Sequence, residues 1–227
     1  MKVLVTGGAG YIGSHMVKKL QKDSHNVVVI DNFSTGHKWA INDCEYINLN
    51  LLDKEKLSSF FKKKSFDVVI HFAAKSIVSE SINSPSSYYL NNFNGSLNLV
   101  SEMVKNDISN IVFSSTAAIF GNPLSKKINE KHPFNPINPY GKSKLMVEYM
   151  LKDFCKSLAL NAVCFRYFNA AGADISEPNP IGESRNPETH LIPNVLKSII
   201  KKTNLEVFGN DYNTNDGTCI RDYIHVI

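Results

Sequence analysis

The chain has 227 residues, 43% of them hydrophobic, enough to bury one sizeable core and part of a second, which excludes a disordered or collagen-like polymer. Its 25 basic and 21 acidic side chains leave a formal charge of +4, too mild and too dispersed to call for a nucleic-acid partner or a membrane surface.

From the N-terminus, short β-branched runs alternate with longer amphipathic segments as far as about residue 170. The pattern predicts strands at 2–6, 26–30, 46–49, 67–72, 110–115 and 162–167, and helices at 11–22, 54–63, 87–105 and 140–158. Runs such as Val27-Val28-Val29-Ile30 are apolar without alternation, which suits strands covered on both faces of a parallel sheet. Repeated βα units of this kind predict an α/β fold with a doubly wound parallel sheet. Beyond Gly172 the texture changes. Loops are expected at Glu177-Pro178-Asn179-Pro180 and Asn186-Pro187, then a helix at 191–201, a strand at 205–208, a polar turn and the apolar run 223–227. The expected organisation is a first domain at 1–172 and the beginning of a smaller α/β substrate lobe at 173–227, which breaks off within an apolar element.

Cys44, Cys155, Cys164 and Cys219 show neither CxxC spacing nor the histidine pairing of a zinc site, so no metal is expected. With no secretory leader and no stretch long enough to cross a bilayer, the expected compartment is the cytoplasm. The runs at 62–64 and 201–202 read as solvated lysines, and Asn94-Gly95-Ser96 as a chance sequon.

Gly7-Gly8-Ala9-Gly10-Tyr11-Ile12-Gly13 follows the first strand and opens the first helix. Glycines there allow a tight turn and close backbone approach to a pyrophosphate, and the helix start offers amide donors and the positive end of its dipole. The next strand ends in Asp31, where a carboxylate accepts from adenosine ribose hydroxyls and repels a 2′-phosphate. The sheet is therefore expected to be Rossmann-like and the cofactor NAD rather than NADP, with Asn32, Phe33, Ser34, Thr35 and Gly36 as a polar loop at the adenosine end.

The strand at 110–115 brings Ser114-Ser115-Thr116 to its carboxyl end, where open α/β sheets bind ligands. Downstream, Tyr140 and Lys144 share one helix face. A free phenol has a pKa near 10, and a close ammonium with a cationic nicotinamide favours its phenolate, turning it into a base.

These residues, with His71-Phe72-Ala73-Ala74, the segment 88–95, Arg166-Tyr167-Phe168-Asn169, Phe208-Gly209-Asn210-Asp211-Tyr212 and the run 216–226, resemble the extended short-chain dehydrogenase/reductase family, in particular its sugar-nucleotide epimerase branch, over essentially the whole chain. The resemblance implies that Gly7, Gly10, Tyr11, Ile12, Gly13 and the loop from Asp31 to Gly36 hold NAD, with Asn50 and Leu51 beside the adenine. Asn50 departs from the aspartate usual there, although its carbonyl can still accept. Phe72, Ala73, Ala74, Lys75, Ser76 and Asn91 are implied along the middle of the groove; Lys75 stands next to the position, Ser76, where relatives often carry lysine.

By the same resemblance Tyr140 is the catalytic base, Lys144 its electrostatic partner and ribose ligand, and Thr116 the hydroxyl that relays the sugar 4-OH proton, with Phe168 near the nicotinamide. Tyr167, Asn169, His190, Leu191, Phe208 and Arg221 are implied as substrate contacts, Arg221 toward the diphosphate. For His190, Phe208 and Arg221 a helix cap, a core residue and an ion pair with Asp222 are the structural alternatives. The implied reaction is NAD-dependent interconversion of UDP-glucose and UDP-galactose by transient oxidation at C4, in a homodimer joined through helices near 87–105 and 140–158. A 4,6-dehydratase needs an acid and a base beside the strand-end threonine, but the chain reads Thr116-Ala117-Ala118. A catalytically silent NAD-binding module is the second reading, favoured by a stop at Ile227.

Overall fold

Six parallel strands form one sheet. They are β1 (Lys2–Thr6), β2 (Asn26–Asp31), β3 (Glu45–Asn48), β4 (Val68–His71), β5 (Asn110–Thr116) and β6 (Asn161–Tyr167), in spatial order β3-β2-β1-β4-β5-β6. This is the doubly wound order expected from the βα alternation, and the direction of winding reverses between β1 and β4, where such sheets open a ligand crevice at their carboxyl ends. The computed structural model describes residues 1–227 except Asn42, Lys126 and Glu177; Glu177, which opens the loop expected at 177–180, lies outside the described residues.

Between the strands run α1 (Tyr11–Lys22), α2 (Lys54–Phe61), α3 (Val78–Asn83), α4 (Pro85–Tyr88), α5 (Gly95–Lys105) and α6 (Pro139–Ser157). Local chemistry sets their ends. Asp53 caps α2 by accepting from the Lys56 amide at 3.1 Å. Asn138 caps α6 in the same way through the Gly141 amide at 2.8 Å, with Pro139 at the first helical position. The pleat sends alternate strand residues to opposite layers. Leu4, Val28 and Val69 pack with Leu57, Leu99, Met103 and Leu151 from α2, α5 and α6, whereas Val3, Val5, Val27 and Val29 pack against Val17 of α1. Both layers are buried, which explains the non-alternating apolar strands.

The helix expected at 87–105 is not uniform. Residues Tyr89–Asn94 form a π-helical turn between α4 and α5, a departure from regular geometry that commonly marks a functional site.

The chain divides into two compact units, Met1–Tyr167 and Phe168–Ile227. In the second, β7 (Asn169–Ala171) pairs in parallel with β8 (Tyr223–His225), and α7 (Leu191–Lys201) is the helix expected there. Residues 205–208, expected as a strand, are irregular: a strand exists through its ladder, and here β7 and β8 pair with each other. Among the described residues no helix is long and apolar enough to cross a membrane.

Candidate active site

The glycine-rich loop is shaped by close backbone approach. Gly7 has φ of 72°, and a Cβ on it would stand 2.5 Å from the Ala73 amide nitrogen; one on Gly13 would collide with the Gly7 carbonyl. The first glycine lets the loop run flush with the end of β4, and the other lets α1 pack onto the loop. Gly10 is the N-cap of α1 and provides no side-chain cap, and the first turn, with Tyr11 and Ile12, holds no acidic residue. The first turn of α1 therefore supplies no counter-charge of its own to the positive end of the helix dipole.

Asp31 closes β2 at its carboxyl end. Its Oδ2 accepts from the Ala9 amide at 2.9 Å and its Oδ1 from the Phe33 amide at 2.8 Å, which ties the glycine-rich loop to the next one. Burial pushes its carboxyl above the ordinary range, against the pull of those amides. Gly36 packs on Ala9, where a Cβ would come within 2.8 Å of the backbone, and the His37 amide donates to the Ala9 carbonyl at 2.9 Å. Asn32, Ser34 and Thr35 are exposed between these anchors, and Phe33 is half-buried. Asn50 is exposed with Oδ1 accepting from the Leu52 amide at 2.9 Å, and Leu51 is buried with its carbonyl held by Asn98.

Phe72, Ala73 and Ala74 continue half-buried from β4, followed by Lys75 and the exposed Ser76. This stretch is fixed by a residue that the sequence reading leaves out, Asn92. Its Nδ2 donates to the Lys75 carbonyl at 3.0 Å and to Ser143 Oγ at 3.1 Å, and its Oδ1 accepts from the Lys75 amide at 2.8 Å and from Asn91 Nδ2 at 3.0 Å. All four hydrogen-bonding valences of the amide are in use. Beneath it, Ser96 Oγ donates to the Asn92 carbonyl and lies 2.8 Å from His71 Nε2, while His71 Nδ1 is 2.6 Å from Thr6 Oγ1. The serine hydrogen is already committed, so His71 is the Nε2–H tautomer and Thr6 donates to its Nδ1. Burial, with the Lys144 charge nearby, lowers the pKa of His71 to about 3 and keeps the ring neutral. A polar residue inside an apolar strand was the signal that a partner had to exist. The Lys75 ammonium meets Glu80 Oε1 at 2.6 Å.

Thr116 ends β5, nearly buried, its Oγ1 accepting from the Ala118 amide at 3.2 Å. Gly141 packs so closely on the Ala118 carbonyl that a Cβ would stand 2.6 Å from it, which brings the start of α6, and with it Tyr140, against this strand end. Ser143 Oγ donates to the Tyr140 carbonyl at 2.7 Å, so the Asn92 network reaches the first turn of α6. One turn on, Lys144 Nζ donates to the Ser114 carbonyl at 2.7 Å and lies 4.8 Å from the centre of the Phe113 ring. Lys144 is 3% exposed, and burial pulls its pKa down to about 7.

Another turn along, Glu148 accepts from Ser115 Oγ and takes Arg166 at 3.1 and 2.8 Å. Arg166 sits across from Ser115 on β6 and over the Phe134 ring at 4.7 Å. Charged residues inside a core strand and on a packed helix face are the sequence signal for such a pair.

Tyr167 closes the first unit, with burial raising its phenol pKa. Phe168, Asn169, His190, Leu191, Phe208 and Arg221 all belong to the second. Asn169 Nδ2 donates to the Asp222 carbonyl at 2.8 Å, His190 is the N-cap residue of α7 with Nδ1 2.6 Å from Glu183 Oε1, and the Arg221 guanidinium donates to the Ile220 carbonyl at 3.2 Å. Phe168, Leu191 and Phe208 are exposed, Phe208 at 86%.

The cradle that a Cβ would fill at Gly7, the start of α1 with no side-chain cap, and the carboxylate of Asp31 suit a dinucleotide and fit NAD. The profile of the NAD dependent epimerase/dehydratase family matches residues 3–227. UDP-glucose 4-epimerase of Halalkalibacterium halodurans is 48% identical over 229 residues, which span 100% of this chain and 68% of that protein. A crystal structure of UDP-glucose 4-epimerase from Brucella ovis in complex with NAD superposes with a TM-score of 0.93 at 45% identity, over 99% of this chain and 69% of the other. The Bifidobacterium longum UDP-glucose 4-epimerase in complex with NAD+ and UDP also gives 0.93, at 34% identity over 100% and 70%. Fold, cofactor cradle and relatives agree: the chain belongs to the NAD dependent epimerase/dehydratase family.

Proposed function

We infer that the chain is an NAD-dependent isomerase that interconverts UDP-glucose and UDP-galactose through transient oxidation at C4. The observation that carries this reading is the packing of the start of α6, which bears Tyr140 and Lys144, against the carboxyl end of β5, which bears Thr116: Lys144 Nζ is held 2.7 Å from the Ser114 carbonyl, and Gly141 lies directly on the Ala118 carbonyl. Identity of 48% to a UDP-glucose 4-epimerase across the whole chain supports the substrate.

When bound, NAD supplies the reversible two-electron step at C4. Gly7, Gly10, Gly13 and the start of α1 would hold its pyrophosphate, Asp31 its adenosine ribose, and the stretch from Phe72 to Ser76 with Asn91 the middle of the cofactor. The Tyr140 oxygen takes the proton of the sugar 4-OH, directly or through Thr116 Oγ1, and returns it once the other face of the sugar has been presented. Lys144, with its pKa near 7, is charged on the acid side of neutrality, and its ammonium favours the phenolate. Its bond to Ser114 on the strand that carries Thr116 fixes proton donor and acceptor in one frame. Phe168, Tyr167, Asn169, His190, Leu191, Phe208 and Arg221 are the proposed contacts to the nicotinamide and the UDP-hexose.

The experiment is an assay of UDP-galactose formed from UDP-glucose by the NAD-loaded chain and by Tyr140→Phe. Most turnover is expected to vanish in the variant while NAD stays bound. Interconversion of neither sugar by a chain that binds NAD removes the assignment.

A second copy of the chain is the proposed partner. Phe93, Met146, Tyr149, Met150, Asp153 and Phe154 line a hollow of 320 Å³ beside the outer side of α6, where Met146 and Tyr149 are exposed, an apolar face suited to helix-on-helix pairing. Sedimentation equilibrium of the chain and of Met146→Glu tests it, a monomer in both cases being the contrary result. The four thiols are free, which fits the proposed cytoplasmic location; disulfide-linked protein recovered from native cells would count against it.

A further inference from the structure

Tyr88 has no task in the reaction as described, yet it is one of the largest fully buried side chains and its ring meets that of Tyr140 edge to face, with centroids 6.4 Å apart and planes at 82°. We propose that Tyr88 is a positioning residue that fixes the plane of the Tyr140 phenol, an inference resting on Tyr140 being the base.

The Tyr88 ring is itself held at its far end. Its single hydroxyl hydrogen is shared between the Ile77 carbonyl at 2.5 Å and Glu80 Oε2 at 3.2 Å. The other oxygen of Glu80 takes the Lys75 ammonium at 2.6 Å, and that ammonium lies 5.7 Å from the centre of the Tyr88 ring. Burial and the Glu80 charge push the Tyr88 phenol far up, so it stays a protonated wall and does not compete as a base. Tyr140 stands in the first turn of α6, and an edge-to-face contact with a ring anchored at its far end restrains the side-chain torsions that set the plane of its phenol. Lys75 acts here through Glu80, two steps from the phenol.

Such a residue affects how often the base is aligned and leaves the grip on the sugar unchanged. Per NAD-loaded molecule, Tyr88→Leu is expected to lower kcat about tenfold with KM for UDP-glucose and NAD occupancy unchanged. Tyr88→Phe keeps the ring but frees its anchored end, and is expected to lose about threefold. Glu80→Gln, acting through the same hydroxyl, is expected to match Tyr88→Phe, and the double variant to be no worse than either single one.

A Tyr88→Leu protein that loads NAD and keeps wild-type kcat overturns the proposal, as does a loss confined to KM. Should Tyr88→Leu not fold, the cycle of Tyr88→Phe and Glu80→Gln decides: wild-type kcat in both singles, or additive losses, overturn it. Tyr140→Phe, run alongside, separates the two levels. Retained turnover in Tyr140→Phe, or an inactive parent chain, removes the base assignment and this inference with it. An inactive Tyr140→Phe beside unaffected Tyr88 variants removes this inference alone.

Discussion

Asn92 grips the Lys75 peptide from both sides, accepting from its amide at 2.8 Å and donating to its carbonyl at 3.0 Å. A side-chain amide is the group that can do this while also donating to Ser143, because it has two hydrogens and two acceptor sites on one rigid plane. The clamp joins the stretch after β4 to the first turn of α6.

Asn92→Asp replaces both donors by acceptors, facing the Lys75 carbonyl and the Ser143 hydroxyl. The expected loss is about 2–4 kcal/mol in unfolding free energy, from broken bonds plus buried polar groups left without partners, together with weaker NAD binding. Urea unfolding and calorimetric titration with NAD check this. Asn92→Asp that unfolds like the parent would show the clamp to be dispensable.

Gly7→Ala places a methyl group 2.5 Å from the Ala73 nitrogen at a backbone φ of 72°. The strain of the left-handed region and the collision act together, so the loop must move away from β4. Stability is expected to fall by about 1–3 kcal/mol, with loss of measurable NAD affinity. Equilibrium dialysis against NAD gives the direct reading.

Lys144 makes stability depend on pH in a definite direction. Burial lowers its pKa to about 7 in the folded chain, so between about pH 7 and the ordinary lysine value near 10.4 the unfolded state binds more protons. Its contribution to stability therefore rises with pH through that window, and the cost of burying the ammonium is felt in full below it. Lys144→Met is expected to flatten this rise and to raise the melting temperature most at pH 6, at the expense of turnover. Thermal melts of both proteins without cofactor from pH 6 to 9 test the sign; parallel curves would contradict it.

Much of this architecture is legible in the order of residues. The apolar runs without alternation dictate a parallel sheet covered on both faces. The glycines between β1 and α1, with Asp31 closing β2, are readable as the proposed dinucleotide cradle because every part lies within one βαβ unit. Tyr140 and Lys144 are readable as a pair because helical pitch alone sets four-residue neighbours on one face.

What the linear order leaves open is the pairing of polar groups buried far apart along the chain. His71 meets Ser96 across 25 residues, Asn92 meets Ser143 across 51, and Arg166 meets Glu148 across 18. The ring of Tyr88 against Tyr140 is of the same kind. Local periodicity determines which face of an element is apolar, and so the layers of the fold. It carries no record of which buried donor finds which acceptor, because that choice is made only when strands and helices close on one another and water leaves the space between them.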